Sequence, residues 1–197
     1  PNTEDLWLEA AGIQLEKGFI KTGDYYETAL PGVFAAGDII DSPQLAHVAT
    51  REGEIVADYI SGEHPERGVS FDEVPFAVYT EPEIAHFGPT EIQLQEKGIA
   101  YKKEILQYRG IGKAVATGET DGIIKVLYNP DSAESEKQII GVHMAGSGAT
   151  ELIHEYLLAA GLDDGLEHIH HTLHAHPTLS EGIWESASAC LQRGLHV

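Results

Sequence analysis

Apolar residues recur along this chain with two different periods. Between Leu45 and Ile60 they fall at Ala46, Ala49, Gly53, Val56, Ala57 and Ile60, a spacing of three and four that predicts a helix with this face inward, closed by Gly62. Leu152, Tyr156 and Ala160 predict a helix ending at Gly161, and Ile183, Ala187 and Leu191 predict a final one. Thr90 followed by Gln93 is a capping-box signature for a helix that stops at Gly98. The remaining apolar runs are short and read as strands over 75–80, 101–108, 122–128 and 138–144. The last two flank a connection, 129–137, with Asn-Pro-Asp and small acidic residues, and so predict an antiparallel hairpin.

The first third of the chain is more broken. Leu6, Leu8, Glu9 and Ala10 before Gly12 predict one or two helical turns, and Phe19 and Ile20 lead into a turn at Thr22-Gly23-Asp24. A second turn, Thr28-Ala-Leu-Pro-Gly32, launches Val33-Phe-Ala-Ala36, a predicted short buried strand that ends at Gly37-Asp38 ahead of the 45–60 helix. The polar stretch 61–73, broken by Gly62, Pro65 and Gly68, marks a boundary near residue 70. Strands precede helices beyond it, so 70–197 is expected to be an α+β domain, an antiparallel sheet with flanking helices, preceded by a small αβ segment over 1–69.

Composition narrows the function classes. With 42% hydrophobic and 22% charged residues the chain resembles an ordinary globular domain. It has no apolar run of membrane-spanning length and no basic region ahead of an apolar one at its start, so a soluble, cytoplasmic protein is expected. The formal net charge of −20, from 12 basic and 32 acidic residues, repels phosphate backbones and anionic membranes, so neither nucleic acid nor membrane is expected as a partner. It also suggests a halophilic protein kept soluble in high salt, with acidic runs such as Glu134-Ser-Glu136 and Asp163-Asp164 on solvated faces. The single cysteine, Cys190, lies in the apolar pattern of the last helix and reads as structural. The chain opens at Pro1 without an initiator Met, which reads as a cut from something longer.

Three clusters invite chemistry. At Gly37-Asp38 a ligand can approach the backbone closely and a carboxylate can accept from a ligand hydroxyl; an ordinary turn with a solvated Asp has the same sequence. In His174-Ala-His176-Pro-Thr-Leu-Ser-Glu181, Pro177 favours an extended His176 ahead of a helix, and Glu181 falls in or near its first turn. A carboxylate folded back onto the His176 ring fixes the tautomer, raises basicity and leaves the other nitrogen to move a proton; a surface histidine beside a dipole-favouring Glu is the alternative. His168, His170, His171, His174 and His176 crowd nine residues but match no zinc spacing, so no metal is expected. Gly146-Ser-Gly148-Ala-Thr-Glu151 has the first two glycines of a dinucleotide fingerprint but Glu at the third place, and Gly110-Ile-Gly112-Lys113 lacks the spacing and hydroxyl of a Walker loop, so both read as turns.

Seven ordered blocks resemble one family: Pro1-Asn2-Thr3, the strand ending Gly37-Asp38, Gln44-Leu-Ala-His47, Val78-Tyr-Thr-Glu-Pro-Glu83, Gly118-Glu-Thr-Asp-Gly122, Gly141-Val-His143 and His174 to Glu181. They are similar to the C-terminal part of the pyridine nucleotide-disulfide oxidoreductases, flavoproteins among which the His-Pro-Thr-Leu-Ser-Glu block looks most like the dihydrolipoyl dehydrogenases. The resemblance implies that Gly37 and Asp38 lie against FAD, with Asp38 on its ribityl chain, and that backbone around Leu45, Ala46 and His47 faces the flavin ring. Val78 would approach the nicotinamide of NAD, the electron acceptor. His176, oriented by Glu181, would be the base that deprotonates a lipoyl or other small dithiol substrate at the redox disulfide of the partner subunit, in a homodimer. Residues 1–69 would complete the FAD-binding domain and 70–197 would form the interface domain. The chain lacks both glycine fingerprints and the Cys-x4-Cys pair of the family, so alone it is expected neither to hold FAD tightly nor to turn over NADH. A stand-alone dimerisation or scaffold module without redox activity is the alternative, as is a mercuric reductase-like relative. The latter typically carry Tyr where His176 stands and end in a cysteine pair missing here.

Overall fold

The computed structural model describes residues 1–65, 67–130 and 138–196. The chain divides into two compact units, Pro1–Phe71 and Asp72–Val197. In the first, β1 (Leu15–Glu16) and β2 (Phe19–Ile20) form a minimal antiparallel hairpin, single 3-10 turns occupy Asp24–Tyr26 and Gly37–Ile39, and α1 runs over Ala46–Ile60. Its core joins Ile13, Ile20, Tyr26, Ala35, Ile40 and Ile55. The Tyr26 hydroxyl accepts from the Val69 N–H at 2.8 Å and ties the end of the unit back to its core.

Three expectations for this unit need correction. Residues 5–11 make turns rather than a helix, because Asp5 and Trp7 adopt φ of 60° and 56°, which a right-handed helix forbids. What survives is a closure at Gly12, with the Ile13 N–H donating to Leu8 O at 2.9 Å. The 33–36 run is extended but forms no ladder: it bonds to 26–28 through Thr28 N–H to Val33 O and Ala35 N–H to Tyr26 O, with one isolated bridge, Glu27 to Phe34. Of its four residues only Ala35 is buried. Finally, α1 buries Val48, Glu52 and Ile55, while Ala46, Gly53, Ala57 and Ile60 of the predicted face are exposed. Ile55 of the inward stripe joins the Ile13–Tyr26–Ile40 cluster, Val56 of the predicted face packs against that cluster, and Glu52 between Val48 and Ile55 is held by the Gly37 N–H.

The second unit contains β3 (Phe76–Val78), β4 (Ile84–Phe87), α2 (Glu91–Glu96), β5 (Lys102–Gln107), α3 (Gly112–Thr117), β6 (Ile123–Tyr128), β7 (Ile139–Ala145), α4 (Ala149–Ala160), α5 (Gly165–His171) and α6 (Glu181–Cys190). The strands form one antiparallel sheet in the order β3-β4-β7-β6-β5, with Phe87 opposite Val142, Val126 opposite Val142 and Leu106 opposite Ile124. Alternation gives the sheet one apolar face, which α4 and α6 cover through Ile153, Tyr156, Ile183 and Ala187, while α5 packs on both helices and adds Leu166 and Ile169 to the same core. Each such buried aliphatic side chain contributes about 1.5–3 kcal/mol over an exposed one. This is the α+β architecture expected. Gly182 lets α6 lie this close: a Cβ there would run into Ile111 Cδ1 and stand 3.1 Å from Ile124 Cδ1 of β6.

The capping box at Thr90 is present, with Gln93 N–H and Thr90 N–H bonded reciprocally to the opposite side chains. Cys190 is buried in α6. The four-residue strand β4 and the short helices α3 and α5 were not anticipated; runs of four to seven residues hold too few periods to announce themselves. The acidic run at 134–136 lies outside the described residues, whereas Asp163 is exposed.

Candidate acid/base and ligand-facing sites

The segment 172–180 links α5 to α6 and carries His176 across a cis His176–Pro177 bond. Glu181 is the first residue of α6. Its Oε2 accepts from the Thr178 N–H at 2.8 Å and its Oε1 lies 2.9 Å from His176 Nδ1. A carboxylate only accepts, so Nδ1 carries the hydrogen and Nε2 presents its lone pair. Nε2 has no hydrogen-bond partner among the described residues, and the His176 side chain is 77% exposed. Partial burial pushes the Glu181 carboxyl upward, but hydrogen bonds from Thr178 and His176 and the fields of His176 and His174 outweigh it and hold the group below its ordinary range. A cavity of about 350 Å³ adjoins the pair, lined among others by Gly112, Gly182, Trp184 and Glu185.

The other histidines of the cluster are partnered one by one: His168 with Asp164 at 2.9 Å, His171 with Glu167 at 3.4 Å, His174 with Glu155 at 2.7 Å and His170 with Ser188 Oγ at 2.8 Å. Among the described residues no three His, Cys, Asp or Glu side chains converge as metal ligands.

In the first unit, Gly37 adopts φ +75°, and a Cβ there would stand 3.2 Å from Ala49 Cβ of α1, so the turn needs glycine both for its conformation and for its approach to the helix. The Gly37 N–H donates to Glu52 Oε2 at 2.6 Å. Asp38 follows, exposed. Leu45 is the N-cap of α1 and supplies no side-chain cap, and Ala46 and His47 in the first turn are exposed. The first-turn amides and the helix dipole thus suit a carbonyl or anionic oxygen, and Asp38 suits a hydroxyl. Val78 is half-exposed on β3. Glu52 and the Glu155–His174 pair escaped the sequence reading. An acid on the buried stripe of α1 was a usable signal for Glu52; nothing local pairs Glu155 with a histidine 19 residues on.

These features define a class: a two-unit protein with an imidazole–carboxylate pair on the loop into the last helix of an α+β domain, and a Gly-Asp turn, its Asp exposed, packed on a helix without a side-chain cap. The chain belongs to the pyridine nucleotide-disulphide oxidoreductases, whose dimerisation-domain model matches residues 74–187 and whose pyridine nucleotide-disulphide oxidoreductase model matches residues 1–53. It is 37% identical over 198 residues to dihydrolipoyl dehydrogenase 1, mitochondrial, of Arabidopsis thaliana, and 36% identical over 198 residues to dihydrolipoyl dehydrogenase of Bacillus subtilis. Each alignment covers 100% of this chain and 38% or 41% of the relative, so the chain spans about two fifths of their length. The structure superposes on LpdA of Mycobacterium tuberculosis with a TM-score of 0.87 at 28% identity, covering 96% of this chain and 40% of that one. It also shares the fold of the flavoprotein disulfide reductase RclA of Escherichia coli, with a TM-score of 0.84 at 21% identity over 96% of this chain and 42% of that one.

Proposed function

We propose that this chain supplies the acid/base pair, the flavin-facing turn and the homodimer interface of an FAD-dependent, NAD-linked dithiol oxidoreductase of the dihydrolipoyl dehydrogenase type. The observation that carries the reading is the His176–Glu181 contact, with Glu181 oriented by Thr178 and His176 Nε2 left open. His176 Nε2 takes the proton of a substrate thiol, and Glu181 steadies the imidazolium that results and fixes its ring. The thiolate so formed is the nucleophile toward a disulfide, and the same imidazolium returns its proton to the departing sulfur in the reverse direction.

FAD fits the turn in the first unit. Gly37 leaves the backbone open and Asp38 is exposed to a ribityl hydroxyl; the Leu45 N–H is taken by Pro43 O, and the backbone at Leu45, with the exposed Ala46 and His47 of the first turn, would face the flavin ring. Bound FAD supplies the two-electron carrier between dithiol and NAD. These 197 residues hold a single cysteine and no Gly-x-Gly-x-x-Gly, so the chain by itself neither retains FAD tightly nor oxidises NADH. The exposed leucines Leu158 and Leu173, at 78% and 99%, support a second copy as partner. Among the described residues no helix is long and apolar enough to cross a membrane.

The test joins the chain to the remaining part of a dihydrolipoyl dehydrogenase and measures lipoamide turnover with and without His176→Gln. Losing a general base lowers kcat about 10²- to 10⁴-fold. Unchanged turnover in the variant would remove His176 from the mechanism.

A further inference from the structure

Two residues before the exposed His176, His174 is enclosed, with 7% of its side chain accessible. Its Nδ1 lies 3.0 Å from the Thr172 carbonyl oxygen and its Nε2 lies 2.7 Å from Glu155 Oε1. Both facing groups are acceptors. A neutral imidazole owns one N–H and satisfies one of them; an imidazolium satisfies both. Glu155 belongs to α4, next to Tyr156, whose buried hydroxyl donates to Ile183 O at 3.1 Å and meets Ser186 Oγ at 2.6 Å on α6. The helix that grips the 172–176 segment is therefore itself bonded to the helix that begins with Glu181.

We propose that His174 and Glu155 are a positioning pair for His176: the His174 imidazolium, held between Thr172 and Glu155, pins the segment to α4 and places a positive charge near Glu181. That charge keeps Glu181 an acceptor, which keeps the hydrogen of His176 on Nδ1 and its Nε2 free. The lowered titration of Glu181, to which the field of His174 contributes, agrees with this placement. The charged groups concerned are Glu155 from α4, Glu181 at the start of α6 and His176 on the segment before it. The inference rests on His176 being the base, but it is read without turnover.

Ring-nitrogen NMR on histidine-labelled protein of the full 197-residue chain, at about neutral pH, tests it directly. Both His174 nitrogens are expected to carry protons, while His176 shows the Nδ1–H tautomer. In Glu155→Gln, His174 loses a ring proton, His176 becomes a mixture of tautomers, and the Glu181 carboxyl carbon titrates at higher pH; Glu155→Asp restores the original pattern. His174→Gln moves Glu181 in the same direction. A neutral His174 in the unaltered protein overturns the proposal and needs no variant to fold. So does a fall in melting temperature in both variants with Glu181 unmoved, which would mark the pair as structural only. Failure of the base assignment looks different, since His176→Gln would then leave turnover intact while this ring pattern persisted.

Discussion

Glu52 is the residue whose environment departs most from its chemistry. It is a carboxylate with 0% exposure on the inner stripe of α1, one oxygen bonded to the Gly37 N–H and the other, Oε1, buried without a hydrogen-bond partner among the described residues. Such a group persists where it holds something that nothing else holds, here the amide that begins the Gly37-Asp38 turn. Glu52→Ala strands that amide, and a hydrogen bond to a charged acceptor contributes about 1.5–3 kcal/mol. The expected outcome is a lower urea midpoint for the first unit, with Glu52→Gln milder because its amide oxygen still accepts. An Ala variant as stable as the parent would show that the contact holds nothing. The spacing of His176 and Glu181 is the opposite case. Five residues of local chain, one proline and one helix start bring them into contact, so their meeting was legible without tertiary information.

At the scale of elements, the open face of the sheet carries a stacked ladder across β3, β4 and β7. Phe76 lies 4.9 Å from His86 and His86 lies 5.5 Å from His143, ring centre to centre. Register places the three side by side, Phe76 opposite His86 and His86 opposite His143. Desolvation lowers the titration of both histidines, and His86 Nδ1 is buried without a hydrogen-bond partner among the described residues. The unfolded chain, with ordinary histidines near 6.5, therefore takes up protons before the folded one does. The ladder's contribution is full above that value and is lost as pH falls through it toward the lowered native value. Urea unfolding at about pH 7.5 and about pH 5.5 should show this loss, and His86→Phe should reduce it while keeping the stack with Phe76. An equal loss in the variant would exclude His86 as its source.

For the molecule as a whole, charge is the dominant feature. A net charge of −20 on 197 residues opposes compaction, and molar KCl shortens the range of that repulsion to about 3 Å. Thermal midpoints are expected to rise from low salt to molar KCl; a flat response would leave the acidic surface without a role in salt tolerance. The same charge leaves association to apolar surface, in keeping with the exposed leucines of the second unit.

Sequence by itself determined the features that depend on near neighbours. The capping box at Thr90, the hairpin of β6 and β7, the helices α1, α4 and α6 and the closure of His176 onto Glu181 each arise within a few residues, where backbone geometry leaves few choices. Only the tertiary structure decided which stripe of α1 turned inward, since the inward one carries Glu52, whose burial depends on the Gly37 N–H 15 residues away, and Ile55, which packs into the cluster of the first unit. It likewise decided the place of β4, four residues stabilised by pairing with β3 and β7. The contacts of Glu52 with Gly37 and Glu155 with His174 join residues 15 and 19 apart. Chain closure over such distances is specified by packing, and local pattern carries no record of it.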